Sequence, residues 1–179
     1  MTFPNDSSRI ARGITNLETS TNDYTTTPEK AARSLIRKTY HITEVPSVLA
    51  NGDNAIVANA APSIFFKQQV RVLGVNIKTR AALTEHASNL QNLSLKVVSN
   101  VGVIGTTIAV KKTNTVASGG TGNLAQGQSF TLTVDAANAV VAANTWVAPA
   151  IAPSASGVAI AATSWAIDVE EEGPDGYQV

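Results

Sequence analysis

Cysteine is absent from the chain, which excludes a disulfide framework, a zinc-thiolate site and thiol catalysis together. Histidine is scarce: His41 and His86 are the only two. Acid–base chemistry near neutral pH therefore has few groups to draw on. Charge is scarce as well, at 15% of residues, and the thirteen basic side chains balance the thirteen acidic ones. A balanced field favours neither nucleic acid nor an anionic membrane surface. No run approaches the ~18 apolar residues of a membrane span, and the start, MTFPNDSSRIARG, lacks the apolar stretch of a secretion signal.

The distribution says more than the total. Residues 1–80 hold ten basic and six acidic side chains, whereas residues 81–179 hold three and seven. Between His86 and Ile167 the charged residues are Lys96, Lys111, Lys112 and Asp135. A small soluble monomer carries a far more charged surface. Such a body is expected to be covered, either by copies of itself or by a large scaffold.

Motifs that could carry chemistry fail one by one. His41 and Glu44 form H-x-x-E, but the segment reads as extended and runs into Pro46, so the two side chains splay to opposite faces. Glu85 and His86 are adjacent and point apart. No G-x-S-x-G elbow exists to present a nucleophile. Gly119-Gly120-Thr121-Gly122 is not followed by Lys-Ser/Thr, so it reads as a flexible hairpin loop rather than a phosphate cradle. Glu170–Glu172 read as a solvated acidic tail, and a calcium site from Asp168, Glu170 and Asp175 lacks the spacing of a calcium loop. Arg33, Arg37 and Lys38 form a basic patch without flanking aromatics, which suits an acidic protein surface better than nucleic acid. The expectation is a protein that is not an enzyme, needs no metal or cofactor, and binds neither nucleic acid nor membrane.

What is present divides into an arm and a body. Residues 1–27 are rich in Ser, Thr, Asn and Asp, with isolated anchors Phe3, Ile10, Ile14, Leu17 and Tyr24. Such a segment cannot fold alone but can wrap over a partner. Thr27-Pro28-Glu29 is a helix start, and Ala32, Leu35, Ile36 and Tyr40 share a face, which predicts a short helix over about 28–40. The arm is assigned to residues 1–63, the body to 64–170 and an acidic tail to 171–179.

The body is organised around Gln69–Thr79. Its β-branched alternation signals a strand, with Val70 and Val72 on one face and Leu73, Val75 and Ile77 on the other. Arg80–Gln91 fits either a helix or a polar connection. Further alternating runs place Leu93, Leu95 and Val97, then Ile108 and Val110, then Phe130, Leu132 and Val134, then Trp165, Ile167 and Val169 on inward faces. Thirteen of the thirty-one residues from 136 to 166 are alanine, and Asp135 is placed to cap a helical turn there. Both tryptophans are expected in the core; an exposed Trp146 or Trp165 would instead cue carbohydrate binding. Short strands separated by turn signals, without β-α-β spacing, predict a mainly β fold: an antiparallel β-sandwich or jelly roll after an extended N-terminal arm.

The runs VLGVNIKT, LSLKVV, IAVKKT, FTLTVD and WAIDVE, behind a polar arm and without cysteine, resemble the capsid decoration (cement) proteins of tailed bacteriophages and related head-fibre bases. That resemblance spans about 100 residues of the chain. It implies a homotrimeric sandwich knob on the outer surface of an icosahedral capsid, with the major capsid protein as partner and arms reaching across neighbouring subunits. No functional residue transfers from it. The arm's apolar anchors with Arg33, Arg37 and Lys38 are therefore the candidate partner-binding residues. A tail, baseplate or head-fibre component, with a carbohydrate-binding role among its options, is the alternative, and a cellular adhesion module is a further one.

Overall fold

The computed structural model describes residues 35–49, 55–154 and 157–172. Nine strands carry the fold: β1 (Leu35–Val45), β2 (Ile64–Phe66), β3 (Val70–Thr79), β4 (Leu90–Val98), β5 (Ile104–Lys112), β6 (Ser129–Val134), β7 (Val140–Val141), β8 (Thr145–Ser154) and β9 (Thr163–Glu172). Among the described residues the helical elements are two single 3-10 turns, Ala58–Ala60 and Val116–Ser118. None is long and apolar enough to cross a membrane.

The strands hydrogen-bond in the order β1-β9-β3-β6-β5-β4-β8-β2, with β7 beside β3. The β5–β6 joint is short, pairing Ala109 with Val134 and Val110 with Thr133. There the sheet folds over, and its halves become two layers around one core. The fold is the expected antiparallel β-sandwich. In the first layer, Val75 lies between Ile167 and Leu132, and Ile77 between Trp165 and Phe130. In the second, Leu95 lies between Pro149 and Ala109. Tyr40 of β1 meets Phe66 of β2 edge-on, with ring centroids 5.2 Å apart, and so joins the first and last strands of the order.

The organising strand carries a β-bulge between Val72 and Gly74. The extra residue resets the alternation, so Val70, Val72, Val75 and Ile77 all face the core while Leu73 faces out. A second irregularity, between Leu95 and Lys96, does the same for β5. Ile108 and Ala109 are both buried there, and Val110, expected inside, is exposed. Val97 and Phe130 pack at the core's margin rather than within it.

Three boundaries differ from the sequence reading. Leu35–Tyr40, expected as the end of a helix over 28–40, belong to strand β1; residues 28–34 lie outside the described residues. A helix of about twelve residues is marginal without tertiary support, and β9 offers this segment strand partners instead. The body accordingly begins at Arg37 rather than at residue 64, and forms a compact unit to Glu172. Glu170–Glu172, expected in a solvated tail, are the end of β9, and Glu171 is buried. Residues 173–179 lie outside the described residues.

Elsewhere the open readings resolve. Residues 80–89 form a connection, tied to the next long loop by the Leu83–Leu124 bridge. Asp135 does organise a turn: its carboxylate accepts from the Ala137 amide at 3.0 Å and from the Asn138 side chain at 2.7 Å. The glycine-rich loop is packed rather than loose, because a Cβ on Gly120 would stand 1.9 Å from the Asn114 side-chain oxygen.

Candidate functional site

The polar side chains of the body converge where β1 meets β9. On the outward face, Arg37 pairs with Glu170 at 3.1 Å, and the Thr39 hydroxyl donates to Asp168 at 2.6 Å. Asn76 on β3 donates to the other Asp168 oxygen at 3.2 Å, and Thr131 on β6 donates to Asn76 at 2.7 Å. One polar ladder thus crosses β1, β9, β3 and β6. Beside it lies a groove of about 370 Å³ lined by Arg37, Lys38, Thr39, Leu73, Gly74, Asp168 and Val169.

On the opposite face, Lys38 and Tyr40 each donate to a different oxygen of Glu171. Burial pushes the Glu171 carboxyl up, but the hydrogen bonds from Lys38 and Tyr40 and the Lys38 charge outweigh it, leaving the pKa below its ordinary value. Burial, followed by the hydrogen bond to Glu171 and that carboxylate's charge, pushes the Tyr40 phenol up to about 12. A carboxylate and a phenol locked in opposite protonation states hold a strand in place. They are not poised to exchange protons.

Two of the sequence-predicted site residues are therefore brought together, with partners inside the chain: the acidic surface that Arg37 and Lys38 meet is β9. Phe3, Ile10, Ile14, Leu17, Tyr24 and Arg33 lie outside the described residues. His41 is exposed on β1, and Glu44 pairs with Arg80 at 3.4 Å. His86 shapes its own turn, its Nδ1 accepting from the amides of Ser88 at 3.2 Å and Asn89 at 2.9 Å. Among the described residues no three His, Cys, Asp or Glu side chains are grouped to hold a metal. Asp168 and Glu170, considered for calcium, are occupied by Thr39, Asn76 and Arg37.

Sequence reasoning missed a second feature, on the outward face of β2, β8, β4 and β5. Phe65 pairs in register with Trp146, Trp146 with Val98, and Val98 with Ile104. This makes an apolar row across four strands. Trp165 is 1% exposed, as expected of a core residue, but Trp146 is 38% exposed and packs its ring 4.9 Å from that of Phe65. On the same face, Ala148 and Ala150 are covered by the 3-10 turn at Ala58, and Val98 is buried with them. Alanine suits those positions because a turn of backbone lies close over them. Each strand shows only one member of the apolar row, so register alone could have revealed it.

No protein-family model matches the chain, and no curated protein does. Among solved structures, the chain is similar to the VP2 subviral particle of infectious bursal disease virus, at 15% identity and a TM-score of 0.39, over 78% of this chain and 33% of that one. It is similar to the Gx strain of the same virus at 13% identity and a TM-score of 0.37, over 78% and 34%. A Clostridium thermocellum xylanase 10B with its CBM22-1 and GH10 modules, complexed with xylohexaose, aligns at 12% identity and a TM-score of 0.27, over 82% and 27%. The chain spans about a third or less of the length of these proteins.

Proposed function

We propose that this chain is a structural virion protein that binds the outer surface of an icosahedral bacteriophage capsid and stabilises it by bridging neighbouring subunits of the major capsid protein. It acts without catalysis of its own, and its body associates as a homotrimer. The observation that carries the reading is the fastening of β1. Residues 1–34 continue directly into this strand, which is held to β9 by paired side chains on both faces. A strand secured along its length is a suitable root for a gripping arm. Arg37, Lys38, Tyr40, Asp168, Glu170 and Glu171 serve that attachment, and the runs that resemble decoration proteins supply the strands it is attached to.

The test is negative staining of purified virions labelled with antibody to this chain. Label spread over the shell is the expected result; label confined to the tail, or absent from particles, overturns the reading. Sedimentation equilibrium tests the trimer, which a monomer mass across the micromolar range would contradict.

A further inference from the structure

We infer that the outward face of β2, β8, β4 and β5 is a second docking surface, fitted to a protein partner whose contact area is apolar with an acidic rim. The inference deepens the capsid-binding reading and rests on it, the partner being a subunit of the shell.

The apolar row Phe65–Trp146–Val98–Ile104 runs to the tip of the β4–β5 hairpin, where Val101 is 84% exposed and Val103 61%. The turn does not require valines there. Gly102 supplies the positive φ of 78°, its amide bonds the Ser99 carbonyl at 2.9 Å, and the Ser99 hydroxyl accepts from the Val103 amide at 3.0 Å. Hairpin tips are ordinarily polar, so these two side chains are exposed for a reason outside the fold. Val110, opposite Ser94 on the same face, extends the exposed apolar area. An exposed tryptophan stacked beside Phe65, with exposed aliphatic side chains on the same face, is the composition of an interface centre.

Charge selects the partner. The four strands contain Lys96, Lys111 and Lys112 and no acid, and Lys67 follows β2. Register places Lys96 and Lys112 on the outward face, opposite Thr107 and Asn92. Among the described acids a second copy of this chain offers little to pair with: Glu44 is engaged with Arg80, Asp168 with Thr39, Glu170 with Arg37, Glu171 with Lys38 and Asp135 within its own turn, which leaves Glu85. A sugar platform needs polar side chains around the ring pair, whereas Trp146 is flanked here by Phe65 and Val98.

The experiment co-sediments the full chain with empty shells of the major capsid protein. It compares wild type, Trp146→Ser, the double variant Val101→Ser/Val103→Ser, and Lys96→Glu/Lys112→Glu, each checked for an unchanged β circular-dichroism spectrum. The apolar variants should bind about thirtyfold more weakly. The lysine variant should lose about three- to tenfold at low salt and match wild type at high salt. The hairpin-tip variant keeps the test decisive should Trp146→Ser fail to fold. If all variants bind like wild type while deletion of residues 2–27 abolishes binding, this inference is overturned and the capsid reading stands. If wild type ignores the shells, the capsid reading fails and this inference with it. Trp146-dependent binding to host cell-wall polysaccharide would then assign the face to a glycan, and Trp146-dependent self-association would assign it to a second copy.

Discussion

The two layers of the sandwich share one core but present opposite outward faces. The β1-β9-β3-β6 layer is crossed by paired polar groups, with Thr39, Asp168, Asn76 and Thr131 in one continuous hydrogen-bonded line. The β2-β8-β4-β5 layer carries lysines without acids and exposes Trp146, Ile104 and the hairpin-tip valines Val101 and Val103. The first layer pairs Arg37, Thr39, Asn76, Thr131, Asp168 and Glu170 within the chain, and the other exposed groups on its β3 side, Arg71, Leu73 and Lys78, are set around that ladder. The second leaves apolar area and positive charge without an internal partner. The difference separates a face that holds the molecule together from a face available to something else.

The largest expected effect lies in the shared core. Leu95 is fully buried in the one core that the two layers share. Leu95→Asp should cost several kcal/mol, on the order of the chain's whole stability, and abolish soluble expression. A soluble, cooperatively melting variant would contradict the packing. The two tryptophans come next. Trp165→Ala should destabilise by about 3–5 kcal/mol in denaturant titration. Trp146→Ala should cost about 1 kcal/mol or less beyond its contact with Phe65. Equal losses would erase the distinction between buried and presented rings.

Within the first layer, the adjacent acids on β9 differ in burial. Glu171 is buried and holds both Lys38 and Tyr40, so Glu171→Gln should cost about 1–3 kcal/mol, reduced from a fully buried pair because Lys38 is half-exposed. Glu170 pairs with an exposed Arg37, and Glu170→Gln should cost under about 1 kcal/mol.

The smallest effects are those of pH. The folded pKa of Glu171 is lowered, so its contribution is present above the unfolded value and is lost as pH falls through the folded one. The Tyr40 pKa is raised from 10.0 to about 12. Its contribution is complete below 10 and is lost as pH rises toward 12. Thermal melts of Tyr40→Phe should lose the alkaline decline that wild type shows in that window.

Much of the body could be read directly. The runs at Leu93–Val97, Phe130–Val134 and Trp165–Val169 are strands because strict alternation over five residues has one good solution when one face must be buried. Reading failed where a distant partner decides. Leu35–Tyr40 follow a sound helix start at Thr27-Pro28-Glu29 and continue a helical apolar stripe, but their acidic and strand partners lie about 130 residues away on β9. The bulge at Leu73–Gly74 left a local trace, two consecutive apolar residues before a glycine. That trace reads equally well as a change of face. Ala148 and Ala150 gave no hint of the turn at Ala58 that covers them. The row from Phe65 to Ile104 is invisible in any single strand, since it exists only across their register.

The most direct test of the account compares lysine reactivity toward acetylation in the isolated protein and on the particle. Lys96 and Lys112 stand on the β2-β8-β4-β5 face, and Lys78 is exposed on the β3 side of the other layer. The account predicts that all three react in the free protein, and that Lys96 and Lys112 become protected on virions while Lys78 stays reactive. Protection of Lys78 with Lys96 and Lys112 still reactive would contradict it.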